Sequence, residues 1–200
     1  ERGYKMEIVM PSNMSDERKK MLKLYGANLT EVEPGDFDAA IWIRDKLAKT
    51  KGWFNCNQFH NPLNIEAHYK ITGPEINKQF RKSNYLEDSW PQAFIAGTGT
   101  GGTIMGCGTY LKEKFPGIKL IAVEPAESAV MSGGCPGLHG IQGIGDGSKF
   151  LVDLNMIDDI IPIKTEDAKT YAKHLALKHG LFVGMSAGAN VKASFQWLKE

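Results

Sequence analysis

The apolar run Ala93-Phe94-Ile95-Ala96 passes straight into Gly97-Thr98-Gly99-Thr100-Gly101-Gly102-Thr103, and a helical pattern takes over at Ile104. A strand that ends in such a bend and feeds a helix is the joint of an α/β unit, and it sets the helix's first amide hydrogens, which lack intrahelical acceptors, at the end of a sheet. Four glycines among seven residues remove the Cβ atoms that would hold a ligand away from the backbone. An anionic ester would satisfy those amides. The plainer reading is an ordinary strand-to-helix turn, which needs fewer glycines and no interleaved threonines. The stretch also spells G-x-G-x-x-G through Gly97, Gly99 and Gly102, with Glu124 about where a dinucleotide site carries its ribose-binding acid, so a nicotinamide-dependent enzyme is a rival reading.

The rest of the chain alternates in the same way. Met6 to Met10 reads as a strand, Ser15-Asp16-Glu17 as the cap of a helix to about Tyr25, Gly26 as its left-handed stop, and Asn28 to Val32 as a second strand. Asp36 to Lys49 is helical, and Trp53-Phe54 begins an extended piece. Asn55 to Pro62 is polar and irregular where a strand should end, which is where ligands sit in such sheets. A helix is expected from Asn64 to about Arg81 with a break at Gly73-Pro74, and Lys82 to Pro91 reads as a surface loop. Beyond the glycine bend come a helix to Phe115, a buried strand over Ile118 to Val123, and a glycine-rich loop from Ser132 to Lys149. A strand from Ile157 to Ile163, a helix capped by Thr165-Glu166-Asp167 and ended by Gly180, and a second small-residue turn, Leu181-Phe182-Val183 into Gly184-Met185-Ser186-Ala187-Gly188-Ala189, complete it. The fold class is α/β, with parallel sheets flanked by helices.

The 24 basic and 23 acidic residues give a net charge of +1, which supplies no bulk field for nucleic acid or an anionic membrane. A small-molecule ligand is expected instead. Cys56, Cys107 and Cys135 are widely spaced, with no C-x-x-C pair, so neither a metal site nor a disulfide framework is indicated. No apolar run approaches a membrane span, and the expected location is the cytoplasm. The chain starts at Glu1 and ends within a helical pattern, and it is read as part of a longer polypeptide.

Several motifs agree with one family. Met10-Pro11 with Met14-Ser15 and Glu17-Arg18, Tyr25-Gly26-Ala27, Gln58-Phe59 with Asn61-Pro62, Thr72-Gly73-Pro74-Glu75-Ile76, the glycine bend, Val123-Glu124-Pro125, Ile141-Gln142-Gly143-Ile144-Gly145 and Gly184-x-Ser186-x-Gly188-Ala189 follow one another in the family's order. In this the chain resembles the pyridoxal-phosphate-dependent cysteine synthases, or O-acetylserine sulfhydrylases, and their β-replacement relatives. The resemblance covers nearly all of it. It implies the two-domain architecture of fold-type II pyridoxal-phosphate enzymes, with residues 1–59 a partial small domain and 60–200 the large phosphate-binding domain. It also accounts for Glu124 without a ribose.

The resemblance implies pyridoxal 5'-phosphate as cofactor, with its ester at Gly99, Thr100, Gly101, Gly102 and Thr103 and its ring nitrogen at Ser186. A neutral hydroxyl there does not hold that nitrogen protonated, which favours loss of a β leaving group. The alternative for Ser186 is a helix N-cap. Gln58 matches the family's glutamine for the substrate carboxylate, or else is a solvated loop residue, and Gly143 would form the floor of the site. Asp146 departs from the family's usual uncharged residue. It is either a turn former before Gly147 or a general base on water or thiol, which would tilt the chemistry toward cysteine breakdown with sulfide release. The family's Schiff-base lysine belongs to an N-terminal motif that these residues do not contain, and Lys5, Lys19, Lys20 and Lys70 match no such context, so the chain alone is expected to be inactive. The activity implied for an intact enzyme is cysteine synthesis from O-acetylserine and sulfide by a homodimer acting on a small amino acid. Alternatives are a cysteine β-lyase (desulfhydrase), a cystathionine β-synthase-like activity, and a cofactor-free scaffold.

Overall fold

Glycine and proline punctuation divides the chain into short alternating elements, and the computed structural model describes them over residues 2–50, 52–82 and 90–199. Two compact units result, Glu1–Cys56 and Asn57–Glu200.

The first unit holds β1 (Glu7–Pro11), α1 (Asp16–Leu24), β2 (Asn28–Val32) and α2 (Phe37–Ala48). β1 and β2 pair in parallel from Glu7 opposite Asn28 to Pro11 opposite Val32. Asp36 caps α2 by accepting from the Ala39 amide at 2.8 Å. Ser15 stands at the N-cap of α1, but its side chain makes no capping bond, and the acids Asp16 and Glu17 meet the helix dipole instead. Trp53 and Phe54 form no strand and are exposed.

The second unit opens with a continuous helical rod made of α3 (Leu63–Ala67), a π turn (His68–Thr72) and α4 (Gly73–Lys82). The break expected at Gly73-Pro74 is therefore a change of winding. Proline has no amide to donate back along the rod, and the wider turn before it absorbs the lost bond. Of the stretch 82–91, residues 83–89 lie outside the described residues.

Next come β3 (Ala93–Gly97), α5 (Gly102–Lys114), β4 (Lys119–Pro125), single 3-10 turns at Ala126–Ser128 and Leu154–Met156, β5 (Asp159–Ile163), α6 (Thr165–His179) and α7 (Met185–Trp197). The strands form a parallel sheet in the order β3-β4-β5. Its faces alternate with period two: Ala96 and Ala122 meet Ile104 and Met105 of α5 on one side, while Ile121, Val123, Ile161 and Ile163 meet Ala168 of α6 and Ala189 and Ala193 of α7 on the other. α6 ends at Gly180, in the left-handed conformation at φ 68°. Thr165 is the first residue of α6 and not its cap. Its amide donates to Glu127 and its hydroxyl accepts from Gly140, because the preceding loop claims that oxygen. Leu181 to Val183 join no strand of the described sheet and are exposed.

Asp158 locks the entry to β5. It accepts from the Leu120 amide at 2.9 Å and pairs with Lys112 and Lys119, each at 3.1 Å. Burial alone would raise its carboxyl, but the amide and the two ammonium groups overcome this and bring it down to about 2 from an ordinary 3.8. A folded-state value below the unfolded one means stabilisation that is present above the unfolded value and lost as pH falls through the folded one. Asp158→Asn is expected to cost about 1–2 kcal/mol near neutral pH. Urea unfolding of the intact protein checks this, with the gap between variant and parent closing as pH drops from about 4 toward 2.

Candidate functional site

β3 ends at Gly97, and the bend that follows is the N-terminal approach to α5. Gly101 takes the N-cap position at φ 90°, a left-handed conformation that suits glycine. The first amide bonded back into the helix is that of Met105, to Gly101 O at 3.1 Å, so those of Gly102 to Ile104 have no intrahelical acceptor. Together with the dipole, such amides suit an anion.

The two threonine hydroxyls are held from behind by the helical rod. Asn64 donates from Nδ2 to Thr100 Oγ1 at 2.9 Å and to the Gln58 carbonyl at 3.2 Å. The Gly102 amide also reaches Thr100 Oγ1, at 3.4 Å. Two donors fill that oxygen's lone pairs and leave its O–H to point at an acceptor. One turn along, His68 Nε2 lies 3.3 Å from Thr103 Oγ1, and its Nδ1 lies 3.0 Å from Thr72 Oγ1. Neither Asn64 nor His68 stands out in the sequence. Their spacing of four residues, opposite threonines three apart, is the signal that was available.

Not every glycine of the bend serves ligand approach. A Cβ on Gly102 would lie 2.0 Å from Asn64 Oδ1, one on Gly97 2.8 Å from Ile144 Cγ2, and one on Gly99 2.7 Å from the Gly143 carbonyl oxygen. Close packing accounts for these three.

The loop after β4, which the resemblance takes as the floor of the site, lies along the bend. Ile141 and Ile144 are buried, which leaves Gln142 and Gly143 exposed between them. The Gly145 amide donates to Thr98 O at 2.9 Å and the Leu151 amide to Thr100 O at 3.1 Å, so the loop is bonded along the bend. Asp146 is half-buried, and its Oδ2 lies 3.3 Å from where a Cβ of Gly99 would sit. Gly143 and Asp146 therefore meet the bend directly.

Gln58 reaches it through its main chain, by way of Asn64, while its side chain is exposed. Asn57 before it is left-handed at φ 47°, which asparagine tolerates, and Phe59 after it stacks on Phe150 at 4.5 Å. Ser186 sits in the first turn of α7, whose N-cap is Gly184, so the N-cap reading of Ser186 does not hold. Among the described residues no hydrogen bond joins Ser186 to the bend. The link is Asn190, one turn further on, whose Oδ1 would lie 3.3 Å from a Cβ on Gly97.

Glu124 is buried at 2% exposure, and its carboxylate accepts from the Met131 and Ser132 amides at 2.8 and 3.0 Å and from the Ser132 hydroxyl at 2.5 Å. Its oxygens are spent on the chain itself. Cys107 is buried as well, and burial pushes its thiol up to about 11, outside nucleophile chemistry at neutral pH. Among the described residues no cluster of His, Cys, Asp or Glu could hold a metal ion, and no helix is long and apolar enough to cross a membrane.

A parallel α/β sheet with an amide-rich bend where β3 runs into α5 is an architecture that suits phosphorylated small molecules. The family described as pyridoxal-phosphate dependent enzyme matches residues 1–200, and the chain belongs to it. A cysteine synthase of Staphylococcus aureus is 40% identical over 204 residues, covering 100% of this chain and 63% of its own length. The crystal structure of a cysteine synthase from Entamoeba histolytica superposes with a TM-score of 0.85 at 40% identity, over 99% of this chain and 57% of that one. That of a hydrogen sulfide-producing enzyme from Fusobacterium nucleatum superposes with a TM-score of 0.88 at 37% identity, over 97% and 64%. The chain thus spans less than two thirds of the length of these relatives. They are similar to it in sequence and in the parallel α/β architecture expected from the motifs.

Proposed function

We propose that the protein to which these residues belong uses pyridoxal 5'-phosphate to replace or eliminate a β substituent of a small amino acid, with cysteine synthesis from O-acetylserine and sulfide as its main reaction. The observation that carries this is the bend: amides without helical acceptors beside a threonine hydroxyl whose lone pairs are already filled suit a phosphate ester. The cofactor supplies an electron sink for the amino acid's α carbon.

The chain's own residues have simpler tasks. Gly99 to Thr103 bind the ester, and the Ser186 hydroxyl offers the ring nitrogen a neutral partner. The Gln58 amide orients the substrate carboxylate, and Gly143 lets the substrate lie close to the floor. The same reading takes residues 1–59 as part of a small domain and 60–200 as the large one, in a cytoplasmic homodimer.

The half-buried Asp146 beside Gly99 favours a second reaction, cysteine breakdown with sulfide release, in which its carboxylate takes a proton from water or thiol. The Fusobacterium relative is described as a hydrogen sulfide-producing enzyme. The test is a product assay of the intact protein with O-acetylserine plus sulfide and with cysteine alone, alongside its visible absorbance. A yellow protein forming cysteine is expected. A colourless protein inactive on both would point to a scaffold. Asp146→Ala is expected to lower cysteine breakdown about 100-fold, and unchanged turnover would remove its catalytic role.

A further inference from the structure

His139 stands outside every motif considered so far, yet it joins the two ends of the floor loop. The Ile141 amide donates to its Nδ1 at 3.2 Å, and its Nε2 lies 3.1 Å from the Gly145 carbonyl oxygen. A backbone amide can only donate and a carbonyl can only accept. The two contacts together match the tautomer with Nδ1 bare and the proton on Nε2. The contact is close on both sides: Gly145 is left-handed at φ 71°, and a Cβ there would lie 2.4 Å from Pro125 Cγ and 3.0 Å from His139 Nε2.

Gly145 is also the residue whose amide donates to Thr98 O at 2.9 Å, and the next residue is Asp146. One imidazole thus clamps the carbonyl of the residue that docks the floor onto the bend. We propose that His139 is the positioning residue of this site: as the Nε2–H tautomer it fixes Gly145, and through it sets Gly143 and Asp146 against Gly99. The part of this that concerns turnover rests on the functional reading above; the clamp itself does not.

The two ring nitrogens can be replaced separately. Glutamine reaches about as far as Nε2 and keeps a donor for the Gly145 carbonyl, whereas asparagine reaches only as far as Nδ1 and keeps the acceptor for Ile141. In the intact protein, ring 15N shifts should show His139 as the Nε2–H tautomer. His139→Asn and His139→Ala should speed exchange of the Gly145 amide about 10-fold or more and lower turnover about 10- to 100-fold, with cofactor absorbance retained. His139→Gln should stay within about 3-fold of the parent in both. An Nδ1–H tautomer, equal exchange in all variants, or a fast-exchanging Asn variant of full activity would overturn the proposal. If the parent lacks cofactor-dependent turnover while the tautomer and exchange pattern hold, the functional reading falls and the clamp stands.

Discussion

Gly99→Ala is expected to lower cofactor affinity and turnover of the intact protein by about 100-fold while leaving it folded. The added methyl would lie 2.7 Å from the Gly143 carbonyl oxygen and 3.3 Å from Asp146 Oδ2. The first contact is with backbone, so no side chain can swing aside to relieve it. The floor loop has little freedom to retreat, because Gly145 is bonded to Thr98 after the contact and Ile141 is buried in the core before it. The bend must give way instead, and the bend is where the phosphate binds. Overpacking of this size costs about 1–3 kcal/mol, which a unit of this size can absorb. Absorbance titration with pyridoxal 5'-phosphate and steady-state rates check the prediction. Rates within about 3-fold of the parent would mean that floor and bend are not apposed as described.

Gly106→Ala should act the other way round, with stability as its main effect. Its Cβ would lie 2.4 Å from Ile65 O, 2.6 Å from His68 Cβ and 2.9 Å from the Tyr69 amide nitrogen. These atoms belong to the helical rod itself, so α5 and the rod must part. Separation also draws Asn64 and His68 away from Thr100 and Thr103. A loss of about 3 kcal/mol is expected in urea unfolding, with a weakened cofactor site as the secondary effect. A loss under about 0.5 kcal/mol would show that the helices are less closely packed.

Much of this fold was legible because glycine and proline mark its joints. β2 runs over Asn28 to Val32 as its pattern requires, and the stops at Gly26 and Gly180 are left-handed. The misses have a common cause in tertiary demand. Thr165 reads as a cap by local chemistry, but Gly140 takes its hydroxyl. The helix after the bend begins at Gly102, two residues before its apolar period starts, because packing against Asn64 outweighs glycine's low propensity.

The site divides along the same line. The bend lies in one contiguous stretch, whereas Gly143 and Asp146 stood out only through the family resemblance, and the structure sets both against Gly99. Asn64 and His68 act through threonines 36 and 35 positions away, and their spacing of four marks a shared helix face without revealing which distant residues it meets. The glycines show the limit most clearly. Their crowding suggested room for a ligand, whereas Gly97, Gly99 and Gly102 make room for Ile144, Gly143 and Asn64.

In the proposed site the Gly99–Thr103 bend receives a phosphate ester while the first turn of α7 meets the ring that carries it. Backbone amide shifts of the intact protein, titrated with pyridoxal 5'-phosphate and separately with pyridoxal, test it most directly. The phosphorylated compound should move the amides of Gly99 to Thr103 and of Ser186, and pyridoxal at the same concentration should leave the bend unmoved. Equal shifts at the bend with both compounds, or shifts confined to other parts of the chain, would contradict it.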